Sequence, residues 1–583
     1  MRKAPAAPRW LPVLLLLTAS ISDAQERPKL AWSTYLGGTA PETKLADVEV
    51  DPSGHVWIAG ATVSADYPVR SGEPPAESDS PSFILDAFLS RITPDGFLDR
   101  SGYGGEPLVD ELVEDLAVGP EGAIWQAGWS DSAEDLDVLV DRTTADGAVG
   151  GSFDLFSGEG SDAAFAVTTD AQGNAWIAGT SGSRSFAGAP SNGSPVGNYV
   201  LKLDPAAGFQ QLLRLPALRG VPRAIAVDAS GFLYVAGGEA GAGVPDSDSN
   251  VWVLKLEASG HVLWQVTFGG SGQELPTGIV VDSVGRVWVA GWTASPEFPV
   301  LGGRPYAGGR DAFLVRLTGG GGLDASTLLG GSGRDEAHDL ALDGDGVPYL
   351  AGLTTSGDFP LLGSLPEACG DMCGGTNAFA ASFHPSDLWL TFSTLIGGTT
   401  DDEAHGVAVD PEGSSLWVAG LTNSSDFPAL NAFQDQLAGA ADAFVLRIDL
   451  TPNQPPSCAA VVPRPNRIWP PDDKFRSIAI YGVTDPEGDP VALTVLSIHQ
   501  DEPLTVTGRS DGLGVGSPTP RVRASRQEAG NGRVYHVRYQ ADDGRGGSCK
   551  GVLRICVPPM LPGSPTCTDG GPLVDSSAPS KNP

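Results

Sequence analysis

The hydrophobic pattern of the chain repeats one unit of two strands seven times. In each unit a strand leads into a turn of the form Asp-x-x-Gly, and a second strand that is apolar on both faces follows. A clear example is IVVDSVGRVWVAG, and the other units begin at Val48, Leu116, Val167, Ile225, Leu340 and Val407. A sheet that is solvated on one side alternates polar and apolar residues, so this pattern predicts sheets that are covered on both faces.

Two further strands follow each hairpin. The third contains segments such as DAFLVRL, and the fourth ends in Gly-Gly, as in STLLGG. Four strands in a repeat of about 60 residues are typical of a propeller blade. One fourth strand is out of place, because Ala31–Gly38 precedes the first hairpin while the seventh repeat ends at Ile448 without one. We predict that Ala31–Gly38 pairs with Asp442–Ile448 and closes the ring, which removes open sheet edges.

Several short motifs accompany the strands. STYLGG, Asp-x-x-Gly, VWIAG, a segment of the form SxDFP and DAF together resemble the bacterial seven-bladed β-propeller repeats known as SBBP, over residues 28–450. Four repeats match closely, whereas the second to fourth lack the SxDFP segment. The resemblance implies an all-β fold, a seven-bladed β-propeller in an exported bacterial protein, and it brings no catalytic site.

The composition changes after the repeats. Residues 451–456 contain NQPP and predict a linker. Residues 457–558 alternate like half-buried strands, in FRSIAIYGV and VYHVRYQA, which resembles immunoglobulin-like or cadherin-like modules and predicts a small β-sandwich. Residues 559–583 are rich in Pro, Ser and Gly and predict a disordered tail.

The N-terminal segment predicts export. Residues 1–24 combine basic residues, the apolar run Leu11–Leu17 and small residues before Gln25, which is typical of a signal peptide. The apolar run is too short to span a bilayer, which takes about 20 residues, and no later segment is apolar enough. The mature protein is therefore expected to be secreted or held at a bacterial cell surface.

Six cysteines fit an oxidising compartment. Cys369 and Cys373 share one loop, and we predict a local disulfide between them. The spacing leaves the pairing of the other four open: Cys458, Cys549, Cys556 and Cys567.

The charge narrows the choice of partners. The chain has 583 residues and a formal net charge of −35. Such a surface repels a phosphate backbone, so no nucleic-acid partner is expected. An acidic surface serves solubility, and it is also what a calcium-loaded extracellular protein carries.

A repeated set of carboxylates is the candidate site. One acid precedes the first strand of six repeats, near one mouth of the central channel: Glu42, Glu111, Asp162, Glu274, Glu336 and Glu403. Carboxylates gathered at one mouth would repel each other unless a cation joined them, and calcium takes about six to eight oxygen ligands. The alternative is that these are solvated loop acids too far apart to share an ion.

No motif indicates a catalytic site. H-E-x-x-H and a Gly-rich phosphate loop after a strand are absent from the sequence. His338 and His405 occupy equivalent positions in two DEAH segments. We interpret them as repeat residues in turns, and the alternative is a pair that lines one face of the ring.

These observations favour an exported, non-catalytic binding or scaffold protein. Loops between the second and third strands vary in length and share a face with the carboxylates, which suits binding of an extracellular glycan or protein. One alternative is an extracellular lyase or glycosidase, and a glycosidase needs two carboxylates about 5–10 Å apart. A second alternative is a structural component of the cell surface or matrix.

Overall fold

The structure is a computed structural model. It describes residues 28–69, 85–104, 109–131, 135–145, 154–187, 194–238, 250–366, 368–369, 374–450, 455–486, 491–503, 509–527, 530–542, 548–559 and 567–577. The regular elements of these residues are β-strands, which confirms the all-β class. The chain divides into two compact units, Met1–Thr451 and Pro452–Pro583.

The strands of the first unit follow the repeats. The first is β1 (Lys29–Leu36). The first two repeats form β2 (Glu42–Val50), β3 (Val56–Thr62), β4 (Asp86–Ile92), β5 (Leu98–Gly104), β6 (Asp110–Val118), β7 (Ile124–Asp131), β8 (Leu136–Thr143) and β9 (Asp154–Phe156). The next two form β10 (Asp162–Thr169), β11 (Ala175–Ser181), β12 (Gly197–Leu203), β13 (Phe209–Arg214), β14 (Val221–Val227), β15 (Leu233–Gly238), β16 (Val251–Leu256) and β17 (Val262–Phe268). The last three form β18 (Glu274–Val281), β19 (Val287–Thr293), β20 (Asp311–Leu317), β21 (Leu323–Leu329), β22 (Asp335–Leu342), β23 (Pro348–Thr354), β24 (Asn377–Phe383), β25 (Leu390–Ile396), β26 (Asp402–Val409), β27 (Ser415–Thr422) and β28 (Asp442–Asp449).

In the described part of this unit these strands make seven four-stranded antiparallel sheets. Six sheets take their strands in chain order, and the last has the order β26-β27-β28-β1. The first strand of each sheet contacts the first strand of the next, and β2 contacts both β6 and β26. The sheets therefore form a closed ring with their first strands innermost, which is a β-propeller.

The ring closes where the sequence predicted. β1 pairs antiparallel with β28, with Leu36 opposite Ala443 and Lys29 opposite Asp449. The Tyr35 hydroxyl also donates a hydrogen bond to the Ser424 carbonyl oxygen at 2.8 Å. The N-terminal strand thus covers the edge of the last sheet, and the ring-closure prediction is confirmed.

The recurring hairpin residues hold the turn and join neighbouring sheets. Asp282 accepts hydrogen bonds from the amides of Val284 and Arg286 and from the Trp288 indole at 3.1 Å. Trp288 is buried among residues of the next sheet, such as Leu340 and Leu350. The aspartate therefore orients an aromatic residue whose role is packing, as the repeated pattern predicted.

The glycine of the VWVAG segment is required by close approach. A Cβ at Gly291 would lie 2.0 Å from the Leu275 carbonyl oxygen and 2.8 Å from the Phe313 ring. The Leu275 carbonyl is close because β18 has a register shift between Pro276 and Gly278. Only glycine leaves room for both neighbours.

The second unit contains β29 (Val462–Arg464), β30 (Phe475–Ser477), β31 (Ala479–Tyr481), β32 (Ala492–Gln500), β33 (Gly512–Leu513), β34 (Arg521–Arg523), β35 (Arg533–Asp542), β36 (Ser548–Val557) and β37 (Val574–Asp575). Its largest sheet has the order β36-β35-β32-β37. One face of this sheet buries Val495, Val537 and Ile555 in a common core.

Two disulfides hold the second unit. They join Cys458 to Cys549 and Cys556 to Cys567. Residues 567–577 lie in the predicted disordered tail, yet they include β37, which pairs with β32. The tertiary contacts and the disulfide order this segment, although its composition alone favours disorder. Cys369 is disulfide-bonded, but its predicted partner Cys373 lies outside the described residues, so that pairing stays a prediction.

Candidate functional site

The structure corrects the alignment of two predicted site residues. Glu42, Glu111, Asp162 and Glu274 lie opposite Thr62, Ser130, Ser181 and Thr293, two residues after the hairpin glycine. In the sixth and seventh sheets this position belongs to Asp335 and Asp402, which lie opposite Thr354 and Thr422. Glu336 and Glu403 are one residue further along the strand. The prediction that they share the position of the other acids is wrong, because the sequence DE offers two adjacent carboxylates and only pairing selects one.

The acids at this position are internal to their sheets. Asp335 is 0% exposed and accepts hydrogen bonds from the Gly331 amide at 2.8 Å and from the Ser356 hydroxyl at 2.7 Å. Asp402 has the same arrangement with the Gly398 amide and the Ser424 hydroxyl. Each acid therefore fastens the Gly-Gly turn to the end of the second strand, and it is not a solvated loop acid.

The aspartate of the SxDFP segment also stabilises the Gly-Gly turn, by accepting hydrogen bonds from the residue that follows it. The Asp358 carboxylate accepts hydrogen bonds from the Ser332 amide at 2.8 Å and its hydroxyl at 2.9 Å. Asp426 accepts the same two hydrogen bonds from Thr399. The recurrence of these motifs therefore reflects the stability of the blade and carries no information about a ligand.

Burial raises the pKa values of several of these acids. The pKa of Glu42 is raised to about 7, because burial penalises its charge and Asp442 adds repulsion, against hydrogen bonds from the Gly38 amide and from Ser64 and Thr62. The pKa of Asp311 is raised to about 6, through burial and then Asp335. One oxygen of each of these two carboxylates, Glu42 Oε2 and Asp311 Oδ1, is buried without a hydrogen-bond partner among the described residues. Such groups are stable in the folded protein when they carry a proton.

The third strand varies the group that faces each acid. Asp442 and Asp311 face Glu42 and Asp335, and a Cβ at the intervening Gly37 or Gly330 would lie within 2.8 Å of both carboxylates. Asn377 occupies the position of Asp311 and Asp442 in the sixth sheet. A carboxamide and a protonated carboxyl group both donate a hydrogen bond to a carboxylate, so this exchange agrees with a protonated partner.

Glu336 is instead held by cations. It is 3% exposed and pairs with Arg334 at 2.7 Å and with Arg310. Burial alone would raise its pKa, but hydrogen bonds from His338, Arg334 and Arg310 hold the pKa well below its usual range. Glu403 is more open, with a side chain that is 37% exposed.

The calcium hypothesis has no group of ligands among the described residues. In the ranges that the structure describes, no three His, Cys, Asp or Glu side chains are arranged to hold a metal ion. Five of the six predicted ligands are buried at separate positions around the ring: Glu42, Glu111, Asp162, Glu274 and Glu336. A calcium site at this mouth stays a prediction.

Sequence reasoning missed five of the seven bulge residues that line the central channel, and it considered the other two, His338 and His405, only as an alternative. Each innermost strand has a β-bulge at an equivalent position, and β2 has a second register shift between Glu42 and Lys44. The residues left unpaired at the equivalent position line one cavity of about 510 Å³: Ala46, Glu114, Phe165, Arg223, Thr277, His338 and His405. They share a position but differ in chemistry, so a search for repeated residue types passes over them. A bulge turns a side chain away from the alternating pattern of its strand.

The bulge residues join neighbouring sheets. Thr277 donates a hydrogen bond to the Ala337 carbonyl oxygen at 3.0 Å, and His338 Nδ1 donates one to the Ala404 carbonyl oxygen at 2.8 Å. Arg223 lies over the Phe165 ring at 5.3 Å. Charged groups and hydroxyls make the channel polar. The hydrogen bonds and the cation–π contact between neighbouring sheets stabilise the ring.

The two histidines correct another expectation. His338 and His405 lie on innermost strands and not in turns, and their rings stack with centroids 5.2 Å apart. Burial lowers the pKa of His405 to about 3, helped by the charges of His338 and Lys44. The two histidines are therefore neighbours, as the alternative interpretation expected, but they line the central channel, and His405 is neutral at physiological pH.

Three aspartates meet further along the channel. Asp47, Asp115 and Asp339 follow the bulges of β2, β6 and β22 and line the same cavity. Burial, the charge of Asp339 and the charge of Asp115 raise the pKa of Asp47 well above its usual range. Asp115 and Asp339 each accept two backbone amide hydrogen bonds, one from the neighbouring sheet. These carboxylates therefore connect sheets, and they are stable there when partly protonated.

The match to a family model agrees with a propeller of repeated sheets. Residues 391–428 match the SBBP family, described as a beta-propeller repeat. This chain carries an SBBP repeat. The matched range begins in β25 and ends at Pro428, the last residue of the SxDFP segment, so it includes the strand, turn and acid described above. The SBBP resemblance is confirmed, whereas the immunoglobulin-like resemblance of the second unit stays a prediction.

Three solved structures are also similar, and the titles of two of them name WD40 repeats or a WD40 domain. The crystal structure of the RRP9 WD40 repeats is 10% identical, with a TM-score of 0.39, and the match covers 73% of this chain and 99% of that chain. For the Mitotic Checkpoint Complex the identity is 11%, the TM-score 0.41 and the coverage 76% and 97%. The Neurospora crassa Pan2 WD40 domain is 13% identical, with a TM-score of 0.31, and the match covers 55% of this chain and 93% of that chain. None of the curated proteins compared with the chain matches it.

One further result concerns the membrane. Within the described ranges, no helix is long and apolar enough to cross a bilayer.

Proposed function

We propose that this SBBP-repeat protein is an exported, non-catalytic binding scaffold that presents its ligand-binding loops on one end of the propeller. The observation that carries the proposal is a difference between the two ends of the ring. In an antiparallel sheet of four strands in sequence, the first and third connections lie at one end and the second connection lies at the other.

One end is nearly uniform. The turn between the first and second strands has five residues in all seven sheets, for example 51–55, 282–286 and 410–414. The second connections differ widely, from four residues (132–135) to 23 residues (63–85). A rigid frame with one variable end is the arrangement in which loops take on binding.

The variable end also exposes apolar side chains at a repeated place. Leu301, Leu362 and Leu430 follow the SxDFP segment in three neighbouring sheets and are 50%, 46% and 38% exposed. Each lies beside a serine of the outermost strand, namely Ser326, Ser393 or Ser33. Neighbouring exposed apolar residues support a contact surface for a glycan or a protein.

The test is a binding screen followed by a matched pair of variants. The full chain is screened against extracellular glycans and proteins, and the strongest ligand is measured again with L301S/L362S/L430S. We expect this variant to weaken binding at least about tenfold, which corresponds to about 1.4 kcal/mol. V284S is the control, because Val284 is 73% exposed but lies in a uniform turn at the other end.

Two outcomes would contradict the proposal. Equal weakening by V284S would remove the distinction between the ends. Hydrolysis or elimination of a screened glycan would support the lyase or glycosidase alternative instead. Export is supported by the disulfides, which form in oxidising compartments, while the predicted signal peptide 1–24 lies outside the described residues.

A further inference from the structure

A basic groove lies on the outer face of the main sheet of the second unit. His499 on β32 lies opposite His536 on β35, and His536 lies opposite Arg554 on β36. Arg538 follows His536 by two residues and is on the same face. These residues line a cavity of about 440 Å³ together with 569–572. The residues between them on the strands, such as Val537, face the core.

The net charge of the chain is unevenly divided between its two compact units, and the groove lies in the less acidic one. Residues 1–451 contain 22 Lys and Arg against 58 Asp and Glu, a net charge of −36. Residues 452–583 contain 14 against 13, a net charge of +1. The two arginines of the groove, Arg538 and Arg554, therefore belong to a unit that lacks the strong negative charge of residues 1–451.

Asp569 holds His536 and Arg554 in place, and the guanidinium groups of Arg538 and Arg554 remain exposed to solvent. Asp569 accepts a hydrogen bond from His536 Nε2 at 2.8 Å and forms an ion pair with Arg554, whose Nε lies 3.0 Å from Oδ2. Burial would raise the pKa of Asp569, but the Gly571 amide, His536 and Arg554 hold the pKa below its usual range. The Arg554 side chain is still 70% exposed. Arg538 is exposed and forms no hydrogen bond or ion pair with a residue in the described ranges.

We propose that this groove binds an acidic polysaccharide, with Arg538 and Arg554 receiving its carboxylates. A guanidinium group is planar and offers paired N–H donors that match a carboxylate. His499 and the Asp569 carboxylate add donors and acceptors suited to sugar hydroxyls. The site belongs to the second unit and does not depend on the loops proposed above.

Two other polyanions fit less well. A peptide that binds as an added strand needs free backbone groups at a sheet edge, whereas the groove lies on a face where the backbone groups are paired. An acidic peptide that binds through its carboxylates alone is tested below with poly-glutamate. A nucleic acid carries a dense charge, and a chain with a net charge of −35 repels it at long range. A polysaccharide with spaced carboxylates meets the guanidinium groups at a lower charge density.

The experiment measures binding of the full chain to polygalacturonate by calorimetry at low salt, with uncharged dextran as the reference polymer. The variant R538Q/R554Q is expected to lower the affinity at least about tenfold. The control is R509Q/R521Q, which removes the same charge from exposed arginines elsewhere in this unit and should change the affinity less than about twofold. The melting temperature of each variant reports whether it is folded.

Each result decides the matter. A loss with R538Q/R554Q but not with R509Q/R521Q supports the groove. A loss that also occurs with R538K/R554K, which keeps the charge, supports paired recognition by guanidinium. An equal loss with R509Q/R521Q would show general charge attraction and overturn the site. Absence of polygalacturonate binding, or equally strong binding of poly-glutamate, would overturn the assignment to polysaccharide.

Discussion

At the residue scale, the repeated polar side chains of this protein stabilise turns through hydrogen bonds. Asp335 and Asp358 both act on one Gly-Gly turn, the first from inside the sheet and the second from the loop. A buried carboxylate is tolerated when several donors surround it, and here Thr, Ser and glycine amides supply them. Selection for these contacts explains why the acids recur, so recurrence alone is a poor guide to a ligand site.

The first prediction concerns the protonation of Glu42. Its pKa is about 7 in the folded protein and near 4.5 when unfolded, so the folded state binds the proton more tightly. The stabilisation is complete below pH 4.5 and is lost as the pH rises to about 7, by an amount on the order of 3 kcal/mol. Glu42→Gln should remove this part of the pH dependence in denaturant titrations.

The control for Glu42 is Asp95→Asn. Asp95 is exposed in a turn, and its substitution removes one charge without touching a buried pair. A pH dependence that is the same in the Glu42→Gln variant and in the parent protein would show that Glu42 is ionised throughout.

The second prediction concerns the turn aspartate. Asp282 accepts hydrogen bonds from two amides, from Arg286 Nε at 2.6 Å and from the Trp288 indole. Asp282→Ala should therefore lower the free energy of unfolding by about 1–3 kcal/mol. Asp345→Ala, at an exposed position in an equivalent turn, should cost less than about 0.5 kcal/mol. Equal costs in chemical denaturation would contradict the role given to Asp282.

At the element scale, ring closure depends on a single strand. Trp32, Tyr35 and Leu36 of β1 are at most 3% exposed, although they lie some 400 residues from their neighbours on β28. Without β1, the seventh sheet would have three strands and β28 would become an open edge, which favours association between chains.

The third prediction follows from this closure. A chain that begins at residue 37 should unfold at a lower temperature and elute as aggregates, because it loses the apolar contacts of β1. A chain that begins at residue 28 is the control and should behave as the parent. If the shorter chain does not fold, Leu36→Ala tests the same contact and should cost about 2–5 kcal/mol. A shorter chain with unchanged melting temperature and monomeric elution would refute the closure.

At the scale of the whole molecule, the two units differ strongly in net charge. The first unit has a net charge of −36 and the second of +1, so self-repulsion is concentrated in the propeller. Such repulsion destabilises the compact state and is screened by salt.

The fourth prediction is a salt dependence of stability. At pH 7.5, raising NaCl from about 10 mM to about 300 mM should raise the melting temperature of the first unit, because the Debye length falls from about 30 Å to below 8 Å. Tetramethylammonium chloride at equal ionic strength should have the same effect. A response to sodium alone would indicate a specific ion site and contradict screening.

The same measurement tests the calcium hypothesis. A further increase with calcium at matched ionic strength, lost on substitution of Glu336 and Glu403 by Gln, would support a bound cation through mass action on the folded state. Glu336→Gln also breaks its pairs with Arg310 and Arg334, so stability without calcium must be measured for the same variant.

The sequence by itself determined the repeat, the hairpin, the buried aromatic residue and the displaced strand. These are local patterns of apolar side chains and turn residues, and each is a property of a few neighbouring positions. The closure between β1 and β28 was also predictable, because one missing strand and one surplus strand must find each other in a closed ring.

Only the tertiary structure decided which carboxylate of DE is internal, which cysteines pair and which residues line the channel. Asp335 is distinguished from Glu336 because it pairs with Thr354. Alternate residues of a strand face opposite environments, so a shift of one residue along the strand gives a side chain a different set of neighbours. The bulges at Glu114, Thr277 and His338 interrupt that alternation and turn unlike residues toward one cavity. The basic groove brings together residues from 499 to 572 that are adjacent only through strand pairing. Such sites depend on register and long-range contacts, which a local pattern does not contain.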